Sequence, residues 1–337
     1  MPTRPNILFA VSRELRSSLF SGKDLERLSA VATLLPAPVP EVADEAFLKA
    51  HLPEADVVVT SWGTRQLTDE ILACAPRLKL ACHAAGSIRP IVSDALWQRG
   101  IRVTTGAPAI AFGVAEFCLG LILVASKRVP WLANATRDGL WAQTLSAFGG
   151  GFEIYQQNIG IVGAGFIGRQ LIRLLKSFTC TVKVYDPYLS AAEAATLEVE
   201  KIDTLGELFA TCRAVTLHAP TNEGTRHMLR GEHFAALQPG SLFINTAGSI
   251  QIHEEEFIAE LRKGRFVACI DRCEVEPVQL DHPYRLLPNV LLTPHIAGVA
   301  RENQLRIGTY VVDEIEAFGR DNLLIHEVTE EALARMA

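Results

Sequence analysis

The sequence lacks the clustered basic residues and long apolar runs that are typical of nucleic-acid-binding and membrane-spanning proteins. Its 337 residues carry a net charge of −6, and the lysines and arginines are scattered. This charge pattern gives no reason to expect nucleic acid as a partner. The longest strongly apolar stretch, Phe117–Ala125, is far below the roughly 20 residues that span a bilayer. An early apolar run, Ile7–Val11, is too short for a signal-peptide core, so we expect no membrane partner.

The cysteine pattern argues against disulfides and a metal site. The seven cysteines are an odd number, and most lie inside apolar segments. This usage predicts reduced thiols in a cytoplasmic protein. Cys269 and Cys273 have no second closely spaced pair, so no zinc site is predicted.

What the chain does contain is a regular alternation of short apolar strands and helical segments. Alternation of this kind predicts parallel sheets with helices on both faces, and the length suits two domains. The predicted strands of a first series are Ile7–Val11, Val31–Leu35, Asp56–Thr60, Leu78–Cys82 and Ile101–Thr104. Those of a second series are Ile159–Val162, Val182–Tyr185, Ala214–Leu217, Leu242–Asn245, Val267–Ile270 and Val290–Leu292. The predicted fold class is therefore α/β with two doubly wound parallel-sheet domains.

Helical patterns separate and follow these strands. They cover Asp24–Ser29, Glu41–His51, Thr68–Cys74, Ile91–Arg99, a long segment Ala109–Lys127, and Ala300–Phe318, after which a short tail remains. The region Trp131–Ile154 reads as irregular, with Gly149–Gly151 as a hinge-like run. The last helix is expected to return to the first series, which places a ligand cleft between the two domains.

A glycine-rich turn follows the first strand of the second series. Gly163, Gly165 and Gly168 have the GxGxxG spacing, and a helical pattern that begins with Phe166 and Ile167 follows directly. In this context the glycines allow a tight turn, close approach of a pyrophosphate, and packing of helix on strand. The helix N-terminus then offers free N–H groups to phosphates. A glycine-rich turn that binds no ligand is the alternative.

Asp186 ends the next strand, 18 residues beyond Gly168. A carboxylate at about this distance accepts hydrogen bonds from the adenosine ribose and repels a 2′-phosphate. Residues Pro187, Tyr188 and Leu189 add no cation. The sequence therefore predicts NAD rather than NADP as the cofactor.

Several segments, taken together and in order, resemble the D-isomer-specific 2-hydroxyacid dehydrogenase family over about Asp56–Gly319. They are the glycine turn, Leu217–Pro220 with Thr225–Leu229, Phe243–Ala247, Asp271–Pro277 and Asn289–Gly298. The resemblance implies a Rossmann NAD domain at 105–299, inserted in a flavodoxin-like substrate domain made of 1–104 and 300–337. It also implies a homodimer with contacts largely from the NAD domain.

The resemblance also implies site residues. His295 matches the catalytic acid/base, and Glu276 matches the carboxylate that pairs with it. Besides the glycine turn and Asp186, the implied cofactor-binding residues are His218, Ala219, Pro220, Thr246, Ala247 and Asp271, together with His295. The implied substrate-binding residues are Ala85, Gly86 and Ser87, in the loop His83–Ser87, which holds a substrate carboxylate through backbone N–H groups. Arg89 follows this loop and is a further candidate for substrate binding.

These roles fit the chemistry of alcohol oxidation. A hydroxyl proton has to leave while a hydride leaves the same carbon, and histidine suits the proton transfer because its ordinary pKa is near neutrality. A nearby carboxylate orients the ring and favours the imidazolium. For His295 alone a structural loop histidine is the alternative, and for Glu276 alone a surface carboxylate is.

One departure from the family pattern concerns the catalytic arginine. The family reads Asn-x-x-Arg-Gly after this strand, whereas this chain reads Asn245-Thr-Ala-Gly-Ser249, so Gly248 stands at the arginine position. A polar residue of the family is also absent at Ala109–Ala111. An Arg–carboxylate contact is strong and sets geometry, so its loss is expected to be costly.

Three explanations stay open. In the first, another cation, Arg89 or Arg272, takes the place of the missing arginine. In the second, the substrate is a secondary alcohol on a sugar-like or cyclic compound that lacks a carboxylate next to the carbinol, and Gly248 opens space for its greater bulk. In the third, the protein binds NAD without turnover, as a sensor or scaffold. The sequence predicts an NAD-dependent oxidoreductase acting on a hydroxy or keto compound, with the sensor as the alternative.

Overall fold

The computed structural model describes residues 4–36, 43–141, 150–321 and 323–336. The chain divides into two compact units. We call Met1–Ile110 together with Val299–Ala337 the split unit, and Ala111–Gly298 the inserted unit. Each unit is described by itself.

Strands and helices alternate along both units. The strands, in chain order, are β1 Asn6–Ala10, β2 Thr33–Leu34, β3 Val57–Thr60, β4 Leu80–His83, β5 Arg102–Thr105, β6 Asn158–Val162, β7 Thr181–Tyr185, β8 Glu200–Lys201, β9 Ala214–Leu217, β10 Leu242–Asn245, β11 Val267–Ile270, β12 Val290–Leu292 and β13 Glu327–Val328. The helices are α1 Arg13–Leu19, α2 Gly22–Val31, α3 Glu45–His51, α4 Asp69–Ala73, α5 Asp94–Gln98, α6 Ala107–Ser126, α7 Val129–Arg137, α8 Phe166–Leu175, α9 Ala191–Leu197, α10 Leu205–Thr211, α11 Gly231–Ala236, α12 Glu254–Leu261, α13 Pro283–Leu286, α14 Arg301–Asp321 and α15 Glu330–Leu333.

The sheet of the split unit has the strand order β13-β5-β4-β3-β1-β2. All its pairs are parallel except β13 with β5, and the order of the first five strands is that of flavodoxin-like folds. Alternate residues of β1 point to opposite faces. Ile7 and Phe9 join one apolar cluster, and Leu8 and Ala10 join the other. The strands are therefore continuous apolar runs because both faces are covered.

Helix α14 returns the chain to the split unit. Arg27 on α2 forms ion pairs with Asp313 and Glu316 on α14. A Cβ atom added at Gly308 would collide with the carbonyl oxygen of Leu19, so a glycine is needed for this close helix approach. Ile307, Val311 and Val312 complete the apolar cluster on this face.

The sheet of the inserted unit has the order β12-β11-β10-β9-β6-β7-β8, and all its pairs are parallel. Its first six strands in chain order show the 3-2-1-4-5-6 arrangement of dinucleotide-binding domains. Phenylalanines from β10 and the surrounding helices fill its main core, among them Phe209, Phe234, Phe243 and Phe257. The predicted fold class is confirmed.

One prediction about a connecting segment was wrong. The region Trp131–Ile154 was predicted to be irregular, but its first part belongs to helix α7, Val129–Arg137. The helix begins after Arg128, whose φ is +58°, and it buries Trp131. A proline in its first turn is the local signal that the sequence reading missed. The tail after α14 is also structured, because β13 pairs with β5 and the Arg102–Glu327 ion pair reinforces the contact.

Other boundaries shift. The predicted strand Val31–Leu35 is only β2, because α2 continues to Val31. Two predicted features begin outside the described residues, namely the helix from Glu41 and the hinge-like run from Gly149. In the described part of that run, a Cβ at Gly151 would lie 2.6 Å from the carbonyl oxygen of Ser126.

Helix α6 spans Ala107–Ser126, close to the predicted Ala109–Lys127. It has 20 residues and, by length and composition alone, could cross a membrane. Half of its 18-residue apolar window is buried within the protein, and core helices of soluble proteins share these properties.

Candidate functional site

The carboxyl ends of the inserted unit's parallel strands gather the predicted site residues along one edge of the sheet. Parallel strands point the same way, so the loops that follow them lie at the same edge, which is where ligands bind in such folds. In sheet order, the residues that follow β12, β11, β10, β9, β6 and β7 are His295, Asp271, Thr246, His218, Gly163 and Asp186.

A Cβ atom would meet different surroundings at each of the three glycines of the turn. Gly163 has φ +98°, and an added Cβ would lie 2.8 Å from Ala219 N. At Gly168 an added Cβ would lie 2.1 Å from the carbonyl oxygen of Gly163, since α8 packs directly on the turn. Around Gly165, by contrast, no heavy atom of the described residues lies within 4 Å of an added Cβ. The fold therefore needs the first and third glycines, and the second leaves open space.

That open space lies at the N-terminus of α8. Gly165 is the N-cap and has no side chain to accept from the first-turn N–H groups, and the first turn contains no acidic residue. Helix N-termini leave their first N–H groups without intrahelical partners and bind anions. Phe166 and Ile167 open this turn, and Phe166 is exposed. The arrangement fits the diphosphate of a dinucleotide.

Asp186 is held against the glycine turn. Its Oδ2 accepts from the N–H of Ala164 at 2.7 Å, and its Oδ1 accepts from the N–H of Tyr188 at 2.8 Å. Arg169 was not singled out from the sequence; its Nε donates to Ala164 O and its Nη2 pairs with Glu193. The carboxylate thus stays beside the turn, where it is available to accept from ribose hydroxyls.

His218 lies inside the strand end. It is buried, its Nε2 is 2.9 Å from Thr216 Oγ1, and its Nδ1 is buried without a hydrogen-bond partner in the described structure. Burial lowers the pKa of His218 to about 3, so the ring is neutral. The carbonyls of Ala219 and Pro220 accept from Gln251 Nε2, which fixes the segment after β9.

The buried His218 predicts an acid-sensitive stability. Its folded pKa of about 3 is below the ordinary value of about 6.5, so below pH 6.5 only the unfolded chain gains this proton. The unfolding free energy should fall by about 2 kcal/mol between about pH 7.5 and 5 from this group alone. In His218→Gln that part should vanish, as measured by urea unfolding at both pH values. Burial also lowers the pKa of His83, to about 4, so the pH-dependent contribution of His83 to the unfolding free energy should remain in the variant. An unchanged pH dependence in the variant contradicts the assignment.

The segment after β10 is also well fixed. Thr246 is buried, with its Oγ1 3.3 Å from Cys118 Sγ on α6. The N–H of Ala247 donates to Asn245 Oδ1 at 3.1 Å. Thr246 is therefore held at the carboxyl edge through its side chain, and Ala247 through its backbone N–H.

His295 and Glu276 form a close pair. Nδ1 of His295 lies 2.8 Å from Oε2 of Glu276, and the histidine side chain is 48% exposed. An ionised carboxylate only accepts, so Nδ1 donates and Nε2 is left for proton exchange. Partial burial acts to raise the pKa of Glu276, but the N–H of Cys273, His295 and Arg272 outweigh it and the pKa is lowered.

Asp271 holds the loop that carries His295. Its Oδ1 accepts from Thr293 Oγ1 at 2.6 Å and from the N–H of Ile296, and its Oδ2 accepts from the N–H of Ala297. His295 adopts φ +54°, a conformation that this anchoring supports. The resemblance implied that Asp271 binds the cofactor; the structure shows that its carboxylate orders the histidine loop.

Gly248 does not open space for a bulkier substrate. An added Cβ would lie 2.4 Å from Thr221 Oγ1 and 3.0 Å from Gln251 Oε1, and Gln251 is fully buried. The expectation of free room at this position was therefore wrong, because two polar side chains occupy it.

In the split unit, the loop after β4 is tied to the neighbouring strand end. The carbonyl of Gly86 accepts from Thr105 Oγ1 at 2.6 Å, the carbonyl of Ala85 accepts from the N–H of Gly106, and Ser87 Oγ accepts from the N–H of Arg89. Ile110, where the family has a polar residue, lies 3.5 Å from where a Cβ at Gly86 would stand.

Arg89 follows this loop but is committed elsewhere. Its Nη2 donates to the carbonyls of Leu333 and Met336 in the C-terminal segment. Of the two cations left open by the sequence, Arg89 is therefore bound to backbone of its own unit. Arg272 lies in the inserted unit, with Nε 3.4 Å from Glu276 Oε1.

The chain is similar in sequence to a family model and to several known dehydrogenases and reductases. Residues 119–297 match the family model described as D-isomer specific 2-hydroxyacid dehydrogenase, NAD binding domain. The chain is 31% identical over 277 residues to D-3-phosphoglycerate dehydrogenase of Methanocaldococcus jannaschii, covering 82% of this chain and 52% of that protein. It is 31% identical over 282 residues to hydroxypyruvate reductase of Thermotoga maritima, covering 82% and 90% respectively.

The chain spans about half the length of the phosphoglycerate dehydrogenases that it matches. Among solved structures, D-mandelate dehydrogenase of Rhodotorula graminis in its apo form aligns with a TM-score of 0.83 at 23% identity. That alignment covers 97% of this chain and 98% of the other, and it supports the fold.

Proposed function

This chain belongs to the D-isomer specific 2-hydroxyacid dehydrogenase family, as its sequence predicted, and we propose that it is an oxidoreductase that interconverts a hydroxy acid and its keto acid. Its cofactor is NAD(H). The observation that carries the proposal is the His295–Glu276 pair, which lies at the same sheet edge as the uncapped glycine turn.

In this proposal the inserted unit is the NAD domain, here Ala111–Gly298, and the split unit is the substrate domain. The glycine turn and the first turn of α8, with Gly165, Phe166 and Ile167, hold the diphosphate. Asp186 holds the adenosine ribose, which favours NAD over NADP. His218, Ala219, Pro220, Thr246 and Ala247 border the cofactor, and Ala85, Gly86 and Ser87 remain the proposed carboxylate loop.

The chain's own residues would move the proton. Nε2 of His295 takes the hydroxyl proton in the oxidation direction, and Glu276 stabilises the imidazolium that forms. Asp271 keeps the histidine loop in position through its three hydrogen bonds. When bound, the nicotinamide supplies the hydride acceptor or donor.

A turnover assay tests this proposal. The purified protein is offered NAD⁺ with D-3-phosphoglycerate, (S)-sulfolactate, D-mandelate and polyols, or NADH with hydroxypyruvate, and the absorbance of reduced nicotinamide is followed. We expect turnover with at least one hydroxy or keto acid and a lower KM for NAD than for NADP. Tight NADH binding without turnover across the panel favours the alternative of a sensor or scaffold. That alternative is supported by position 248, which has no arginine and whose surroundings, Thr221 and Gln251, leave little room for a side chain.

We propose further that the protein is a soluble cytoplasmic homodimer. Large apolar side chains are exposed on and after α6 and α7 of the inserted unit, namely Val124, Val129, Leu140 and Trp141, the last at 81%. Contiguous exposed apolar patches mark protein interfaces, and we propose that these four side chains form one. Sedimentation equilibrium should give twice the mass of one chain, and Trp141→Glu should weaken the association at least tenfold. A monomeric wild-type protein at micromolar concentration contradicts this.

A further inference from the structure

Arg272 lies directly beside the proton-transfer pair. Its Nε is 3.4 Å from Oε1 of Glu276, whose other oxygen is 2.8 Å from Nδ1 of His295. That Nε is buried and has no hydrogen-bond partner within the described residues, whereas the side chain as a whole is 37% exposed. A guanidinium has five N–H donors in a planar fork, so one contact with Glu276 leaves the terminal nitrogens for another anion.

The backbone connects Arg272 with position 248. Asn245 at the end of β10 donates from Nδ2 to the carbonyl of Gly248 at 3.4 Å and to the carbonyl of Arg272 at 3.3 Å. The strands β10 and β11 are neighbours in the sheet, so positions 248 and 272 follow adjacent strand ends. The cation Arg272, after β11, therefore lies one strand away from Gly248, which follows β10.

A cationic side chain also has more room at the end of β11 than at the end of β10. Position 248 is enclosed by Thr221 and Gln251, and Gln251 is held by the carbonyls of Ala219 and Pro220. A long side chain there would displace the side chain of Thr221 or that of the buried Gln251, whose Nε2 is hydrogen-bonded. The side chain of Arg272 is 37% exposed, and both it and the 48% exposed side chain of His295 contact Glu276.

We propose that Arg272 binds the carboxylate of the substrate through its terminal nitrogens and presents the carbinol carbon to His295. This inference rests on the proposed function and assigns Arg272 to the carboxylate of its hydroxy or keto acid. Glu276 then has two contacts with distinct purposes. Oε2 orients the imidazole at 2.8 Å, and Oε1 lies 3.4 Å from Nε of the guanidinium.

Binding of oxalate to the NADH-loaded protein tests the inference by isothermal titration calorimetry. Hydrogen bonds between charged groups are strong, and their loss corresponds to about a tenfold to hundredfold weaker affinity. We expect Arg272→Gln to weaken oxalate binding by that factor and Arg272→Lys to weaken it less, since lysine keeps the charge but not the fork. Oxamide, the uncharged diamide, should bind wild type and Arg272→Gln alike.

The matched control is Arg335→Gln. Arg335 also pairs with a glutamate four residues away, Glu331, at 3.5 Å, but it lies in the split unit. This variant should bind oxalate and NADH as the wild type does. NADH affinity should also be unchanged in Arg272→Gln, which would show that the inserted unit is intact.

The outcomes separate this inference from the proposed function. Oxalate binding that is absent in the wild type, or equal in wild type and Arg272→Gln, overturns the role of Arg272 even if a hydroxy acid is turned over. A shifted pH profile of turnover with unchanged oxalate affinity also overturns it, because Arg272 would then act only on Glu276. Arg272-dependent oxalate binding without turnover in the wild type supports the anion site and refutes the oxidoreductase.

Discussion

Replacing His295 by asparagine is expected to lower kcat about a thousandfold while NADH affinity stays within twofold of wild type, since acid–base groups typically contribute 10²- to 10⁴-fold. The structure favours asparagine over alanine for this test. His295 adopts φ +54°, and asparagine tolerates that left-handed conformation better than alanine does. The loop, anchored by Asp271, should therefore keep its shape.

Steady-state kinetics and NADH fluorescence titration measure the two quantities separately. Glu276→Gln is the companion variant, because glutamine preserves an acceptor for Nδ1 but removes the charge that stabilises the imidazolium. Its loss of kcat should be smaller than that of His295→Asn. Undiminished turnover in His295→Asn would show that another group moves the proton.

Replacing Gly165 by alanine is expected to weaken NADH binding at least tenfold without destabilising the protein. The added methyl group meets nothing within 4 Å in the described structure, but it enters the space in which a diphosphate would approach the first turn of α8. A tenfold change corresponds to about 1.4 kcal/mol of binding free energy. NADH titration and thermal unfolding measure the two effects.

Gly168→Ala is the matched control, because the same methyl group has the opposite consequence there. Its Cβ would lie 2.1 Å from the carbonyl oxygen of Gly163, so α8 has to move away from the turn. We expect the unfolding free energy to fall by about 1–3 kcal/mol, as for other overpacked sites. If Gly165→Ala binds NADH as tightly as wild type, the diphosphate does not lie at this turn.

Much of the fold could be predicted because its signals are local. Parallel strands that are covered on both faces are continuous apolar runs, so β9, β10, β11 and β12 were predicted with their observed bounds. The elements that were missed are short or depend on distant partners. Strand β13, for example, has two residues and forms only by pairing with β5.

The candidate site was predictable to a lesser degree. The glycine spacing and the position of Asp186 indicated a dinucleotide site, and the resemblance singled out His295 and Glu276, which the structure brings to 2.8 Å. The contacts of the two candidate cations could not be predicted from the sequence. Arg89 and Arg272 looked equivalent in the sequence, yet one donates to the C-terminal carbonyls and the other lies beside Glu276.

The sequence by itself determined the order of strands and helices, and hence which loops meet at one sheet edge, because apolar periodicity and glycine spacing act over a few residues. Only the tertiary structure decided what each polar group at that edge contacts. Asp271 binds the histidine loop, and Thr221 and Gln251 fill the space at Gly248. Such contacts join residues that are distant in the chain, and their distances are set by how the strands and helices pack.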